Sequence, residues 1–229
     1  MFERYGRQLL LDDFGEESQE RLANSKLALI GVGGVGSAVL PLLSGMGVGA
    51  IEIFDCDKVS KTNLHRQTLY TTADISESKA ECAARRCRAI NGTINISAHD
   101  IRLSNKEAAM SLLGDCDVVI DATDSFESRY FISSICAELG IYEILASAET
   151  YIAQCICFGE DFYLENAIGF SKEQGNPSKE LAIFPPAAHL AGIFATSEAI
   201  KYLAQKKYEV GKFTYADLQK NIFKTLSLV

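Results

Sequence analysis

The sequence predicts an α/β fold of Rossmann type: an open, twisted, mainly parallel sheet with helices on both faces and some antiparallel pairing among the late strands. Three observations predict it. Short apolar runs alternate with helix-like stretches along most of the chain. The first run, KLALIG at 26–31, is apolar almost throughout, as a strand buried on both faces must be. The connection from that run to AIEIFD at 50–55 holds a glycine turn and a helix, long enough to lay the two strands parallel.

The elements follow in order. Residues 16–24 read as a short polar helix before the first strand. The uncharged stretch 27–51 has the length of a bilayer span. Seven glycines (Gly31, Gly33, Gly34, Gly36, Gly45, Gly47 and Gly49) and Pro41 instead divide it into strand, turn, helix, turn and strand. A helix over 34–47 and a strand over 50–55 result. Further rounds place helices at 76–90 and 105–113 and strands at 94–99 and 116–123. SFESRYFISSICAELG suits an amphipathic helix ending at Gly140, and 141–149 and 151–159 are two late strands, with Cys155 and Cys157 read as core. From 160 to 184 the periodicity stops, and a loop of that length in a compact domain is a lid, a binding segment or disordered. PPAAHLAGIFATSEAIKYLAQK resumes as an apolar helix with prolines at its start, where they cost least, and the tail suits a terminal hairpin.

A chain of 229 residues with 48% hydrophobic content supplies the core of one domain, 1–229. Its net charge of −8 gives no general attraction to nucleic acid or anionic membranes. Seven cysteines without a Cys-x-x-Cys pair suit neither a zinc ribbon nor a disulfide framework, so a reducing cytoplasm is expected. No basic stretch precedes a cleavable apolar run at the N-terminus, so secretion is not expected.

GVGGVG at 31–36 fits Gly-x-Gly-x-x-Gly between a strand and a helix. Gly31, Gly33, Gly34 and Gly36 permit a tight turn and close backbone approach, and the helix N-terminus they open favours an anion. Asp55 follows about 20 residues on, where an acid accepts from ribose hydroxyls. A dinucleotide dehydrogenase shares these features. The stretch FDCDKVSKTNLHRQ at 54–67 separates the two, because hydride transfer needs no cluster of cations beyond the pyrophosphate, whereas chemistry on a triphosphate does. Asn63 and Arg66, three apart on one helical turn, face one ligand, and Lys79 adds a contact from the next helix. Each alone reads as a solvated charge or a turn former, and only their joint placement is informative. In VIDATDS, Asp121 and Asp124 lie at the carboxyl edge of a later strand, where open α/β sheets bind ligands. Asp124 suits Mg²⁺ bridging ATP phosphates, since that ion takes one or two carboxylates and keeps its waters, while Asp121 caps or orients. His65 and His189 lack metal-ligand spacing and read as surface or packing residues; His99 has no evident partner.

These residues resemble the ThiF, MoeB and HesA family, adenylating relatives of ubiquitin-activating enzymes. RYGRQLLLDDFG at 4–15 looks like that family's Arg-Tyr-x-Arg-Gln segment. The glycine turn follows, then Asp-x-Asp with Thr-Asn-Leu-x-Arg-Gln, then Lys79, Thr123 with Asp124, Arg129, and EAIKYL at 198–203. The resemblance implies that ATP binds at the glycine turn, that Asp55 holds the ribose, and that Asn63, Arg66 and Lys79 meet phosphates. It extends the nucleotide site to Asp57, Gln67, Thr123 and Arg129, and makes Asp124 the magnesium-associated acid. It also implies a homodimer in which Arg7 reaches into the partner's site. On this basis 1–25 is an N-terminal helical arm, 26–159 the nucleotide-binding core, 160–184 a crossover loop, and 185–229 the terminal helix and tail. The implied reaction is attack of a carboxylate on the α-phosphorus of ATP, giving an acyl adenylate and pyrophosphate. A carboxylate is already ionised near neutral pH, so no protein base is needed.

Three departures bear on the substrate. The family's two Cys-x-x-Cys pairs are absent, so the chain is expected to lack zinc; 160–184 holds no cysteine to accept a thioester; and Ser125 replaces the common Asn. These losses favour a small-molecule carboxylate. HcgE-type relatives offer one example, the guanylylpyridinol activated during assembly of the iron-guanylylpyridinol hydrogenase cofactor. The alternative is the C-terminal glycine of a ubiquitin-like sulfur carrier protein of the thiamine or molybdopterin type. A lesser alternative is an inactive nucleotide-binding scaffold.

Overall fold

The computed structural model describes residues 3–167 and 182–229. Helix α1 (Gly15–Ala23) leads into β1 (Lys26–Ile30), α2 (Gly36–Met46) and β2 (Ala50–Phe54). Then come α3 (Lys79–Ile90), β3 (Asn95–His99), α4 (Lys106–Leu113), β4 (Val118–Asp121) and α5 (Phe126–Leu139). Strands β5 (Tyr142–Glu149) and β6 (Ile152–Phe158), helix α6 (Pro185–Gln205), and strands β7 (Lys212–Asp217) and β8 (Ile222–Ser227) complete the described chain. One sheet runs β3-β2-β1-β4-β5-β6-β7-β8. Its first five strands are parallel, and β6, β7 and β8 add antiparallel.

Both faces of the sheet are covered, which is why β1 shows no polar alternation. Leu27 and Leu29 pack into the layer built with α2, α3 and α6, and Ala28 and Ile30 into the layer with α4 and α5. The uncharged 27–51 stretch is thus β1-α2-β2, and no helix among the described residues is long and apolar enough to cross a membrane. Pro41 and Gly45 lie inside α2. The proline removes the N–H that would bond the Ser37 carbonyl, and burial of Val39, Leu40 and Leu43 against the sheet outweighs that loss.

The structure adjusts several boundaries. Helix α3 starts three residues later than expected, because Ser76 has φ 75° and Ser78 bridges Lys58. Ahead of it, Thr71 and Asp74 close a capping box on a 3₁₀ turn, Thr72–Asp74. The terminal hairpin does form, and it extends the main sheet through β6. Of the expected 160–184 loop, the described beginning is packed: Tyr163 donates to the Ile141 carbonyl (3.0 Å) and Leu164 is buried. Residues 168–181 lie outside the described residues. Cys155 and Cys157 are buried, as read from the sequence. His99 does have partners: it stacks on Phe54 (centroids 4.5 Å apart) and its Nε2 lies 2.7 Å from Glu52 Oε2.

Candidate active site

β1, β2 and β4 end side by side, and their loops leave from one edge. Gly31 N donates to Phe54 O and Ala122 N to Ile30 O, both at 2.8 Å. This is the carboxyl edge, at the point where the strand order reverses between β1 and β4.

The four glycines divide by what they do. Gly31 has φ 90°, and a Cβ there would sit 2.8 Å from the Ala122 carbonyl oxygen; a Cβ on Gly36 would collide with the Gly31 carbonyl. Those two are required by the turn itself. A Cβ on Gly33 would make ordinary contact with Gln67 Nε2 at 3.6 Å, whereas one on Gly34 would crowd Ala188 Cβ at 3.1 Å and touch Arg66. Among the described residues, the amides of Gly33, Gly34, Val35 and Gly36 donate to no other protein group. Four free donors at the start of α2 suit a phosphate. Buried Tyr70, missed in the sequence, pins the turn by donating to the Val32 carbonyl (2.8 Å) with Lys79 O 3.3 Å away.

Asp55 joins the turn to the loop after β2. Its Oδ2 accepts from Val32 N (2.7 Å) and its Oδ1 from Asp57 N (2.9 Å). Burial raises its pKa, an effect that the nearby Lys79 charge opposes. Lys79, the first residue of α3, is buried, and its Nζ donates to Asp57 Oδ2 at 2.8 Å. It is therefore a paired cation aimed at the acidic loop. Behind it, Asp74, Glu77 and Cys82 come together, but Arg85 and Arg86 engage the carboxylates at 2.8–3.0 Å. Burial, the Glu77 hydrogen bond and neighbouring acids push the Cys82 thiol up to about 11 despite Arg85. That cluster braces the start of α3.

Asn63 ends a 3₁₀ turn, and its carbonyl accepts from Arg66 N and Gln67 N, both at 3.0 Å, so these residues share one turn as expected. The Arg66 stem lies against Gly34, 3.7 Å from its ideal Cβ, and among the described residues Arg66 Nη1 bonds only Thr62 O (3.2 Å) and, weakly, His65 (3.5 Å). His189 of α6 holds the Arg66 carbonyl (3.0 Å), a packing role. Gln67 is buried, and its Oε1 has no partner.

On the β4 side, Asp121 is fully buried, its Oδ1 accepting from Thr123 N (2.8 Å) while its Oδ2 closes no hydrogen bond among the described residues. Burial raises its pKa. Arg129 directs two donors at the Thr123 carbonyl (3.0 and 2.7 Å), so it shapes the loop from behind. Thr123 Oγ1 is buried beside the Asp121 carboxylate, without closing a hydrogen bond among the described residues. Ser125 caps α5, its hydroxyl accepting from Ser128 N (3.1 Å). Asp124 is exposed at the mouth. A free carboxylate on a loop beside an anion site fits a magnesium ion that keeps most of its waters.

Arg7 stands apart. The N-terminal segment is tied to the far ends of α2 and α3: Gln8 donates to Met46 O (3.1 Å), and Asn91 to the Tyr5 hydroxyl (2.9 Å). Helix α2 is 11 residues long, about 16 Å, so the arm is anchored that far from the glycine turn. Arg7 itself is exposed.

Residues 5–228 match the model of the ThiF family. The chain belongs to the ThiF family. This ThiF-family chain is 31% identical over 230 residues to the sulfur carrier protein ThiS adenylyltransferase of Escherichia coli K12, covering 99% of itself and 91% of that protein. It is 41% identical over 138 residues to the sulfur carrier protein adenylyltransferase of Thermus thermophilus, covering 60% of itself and 51% of the relative. With the adenylyltransferase and sulfurtransferase UBA4 of Kluyveromyces lactis it shares 35% identity over 208 residues, 88% of itself and 47% of the relative. It thus spans about half the length of the latter two. The crystal structure of E. coli MccB with ATP shares the ThiF-family fold seen here, with a TM-score of 0.87 at 21% identity over 99% of this chain and 71% of that one.

Proposed function

We propose that the chain is an ATP-dependent adenylyltransferase that activates a carboxylate as an acyl adenylate. The observation that carries this is the placement of free turn amides and Arg66 beside Asp55, Lys79 and Asp124 on one sheet edge. In the reaction a carboxylate oxygen forms a bond to the α-phosphorus, the bond from that phosphorus to the bridging oxygen breaks, and pyrophosphate leaves with the electron pair. Both reactants are anionic, so neutralisation and alignment supply the rate. The turn amides and Arg66 hold phosphate oxygens, Asp55 the ribose, and the Lys79–Asp57 pair keeps the loop in place. Asp124 would hold a magnesium ion, which would supply positive charge at the phosphates. Gln67, whose buried Oε1 has no partner among the described residues, and Thr123 complete the lining. No zinc is needed.

The names of the relatives support the C-terminal carboxylate of a sulfur carrier protein as the substrate, ahead of the guanylylpyridinol-like small acid that the missing cysteines suggested. Pyrophosphate–ATP exchange, assayed with carrier proteins ending in Gly-Gly and with a panel of small carboxylates, decides between them. Exchange stimulated by carriers is expected; exchange with small acids alone returns the substrate to that class, and ATP binding without any exchange leaves only a scaffold.

The reading includes a homodimer with composite sites, since within one chain Arg7 is tethered away from the turn. Mixing two inactive variants, Arg7→Ala and Lys79→Ala, and letting subunits exchange is expected to restore about a quarter of wild-type exchange, because half the dimers then hold one intact site of two. No recovery, with subunit exchange verified, contradicts the composite site.

A further inference from the structure

Strand order fixes where the parts of a nucleotide must lie, and it brings Arg102 to the base end. The phosphates sit at the turn after β1 and the ribose at Asp55 after β2, so the base, continuing outward, falls over the end of β3, the next strand about 5 Å away. The chain leaving β3 carries Arg102. Leu103, buried in the core, anchors that segment, while the Arg102 side chain is exposed at the mouth. It lies against the exposed Cys56 thiol, between the two acids of the ribose loop, and close enough to Asp57 and Asp124 to feel both charges. None of the ion pairs among the described residues includes it. Its position on the β3 side, beyond the ribose acid, suits a base better than a phosphate.

We propose that the Arg102 guanidinium lies flat over the purine of the bound nucleotide and positions its base end. A planar, weakly hydrated cation stacks on an aromatic face in a way that an ammonium does not. The inference rests on the adenylation reading above. Its test is calorimetric titration of the full chain, wild type and the Arg102→Ala and Arg102→Lys variants, with ATP, adenosine and inorganic tripolyphosphate, melting temperatures confirming that each variant is folded. The alanine variant is expected to lose about five- to tenfold in affinity for ATP and for adenosine alike, with tripolyphosphate unchanged and lysine recovering little. Weakened ATP or tripolyphosphate binding with adenosine unaffected makes Arg102 a phosphate cation and overturns the inference, as does unchanged binding of all three. If the wild type binds no ATP, the adenylation reading itself falls; if wild type and Arg102→Ala bind it equally, only the role of Arg102 does.

Discussion

Arg66→Ala lowers the kcat/KM of pyrophosphate–ATP exchange by about 10²–10³-fold, the scale of losing one preorganised charge at a reacting phosphate. Among the described residues the side chain bonds only the Thr62 carbonyl and His65, so the variant is expected to melt close to the wild type and the loss to be catalytic. Arg66→Lys recovers only part of the rate, because an ammonium cannot span two phosphate oxygens as a guanidinium does. Lys79→Ala causes a loss of similar order by a different route: it removes a buried cation and frees the Asp57 carboxylate beside the nucleotide. Undiminished exchange in Arg66→Ala contradicts the assignment of this edge as the reacting site.

The second large effect concerns stability. Glu143 on β5 is fully buried on the α5 side of the sheet, near Asp121, and among the described residues neither of its oxygens has a hydrogen-bond partner, the Ser133 hydroxyl lying close without closing one. Burial, reinforced by the Asp121 charge, raises its pKa well above the usual 4.5. The sign follows. Below about 4.5 the carboxyl is neutral in both states; above it the unfolded chain ionises while the folded one resists, so stability falls as pH rises toward the folded pKa. Glu143→Leu is expected to stabilise the fold at pH 7 by roughly 1–3 kcal/mol and to flatten that fall, leaving the smaller slope of the same sign from Asp121. Denaturant unfolding at pH 5 and pH 8 checks it. A destabilised variant with the wild-type pH slope shows that Glu143 is satisfied in solution.

The sheet through β6 was legible because its strands are apolar runs bounded by turn residues, signals local to each element. The grouping of the candidate site residues was legible for a similar reason, since the glycine turn, Asp55 and the Asn63–Arg66–Gln67 turn lie close in sequence. What failed to show depends on contacts distant in sequence. No spacing reveals that the terminal hairpin extends the main sheet through β6, or that Glu143, in an ordinary β-strand pattern, meets Asp121 across the β4–β5 pair. Spacing likewise cannot say that Lys79 spends its charge on Asp57, or that Arg129 turns to the Thr123 carbonyl. Ser125 looked like a lost ligand contact, and its local role, capping α5, was available from the sequence all along.

The central claim is that a substrate carboxylate attacks the α-phosphorus of ATP at this edge. Labelling that carboxylate with ¹⁸O and analysing the nucleotide product after turnover tests it most directly. The account predicts AMP carrying one ¹⁸O from the substrate, with unlabelled pyrophosphate; ADP with the label in inorganic phosphate would place the attack at the γ-phosphorus and contradict it.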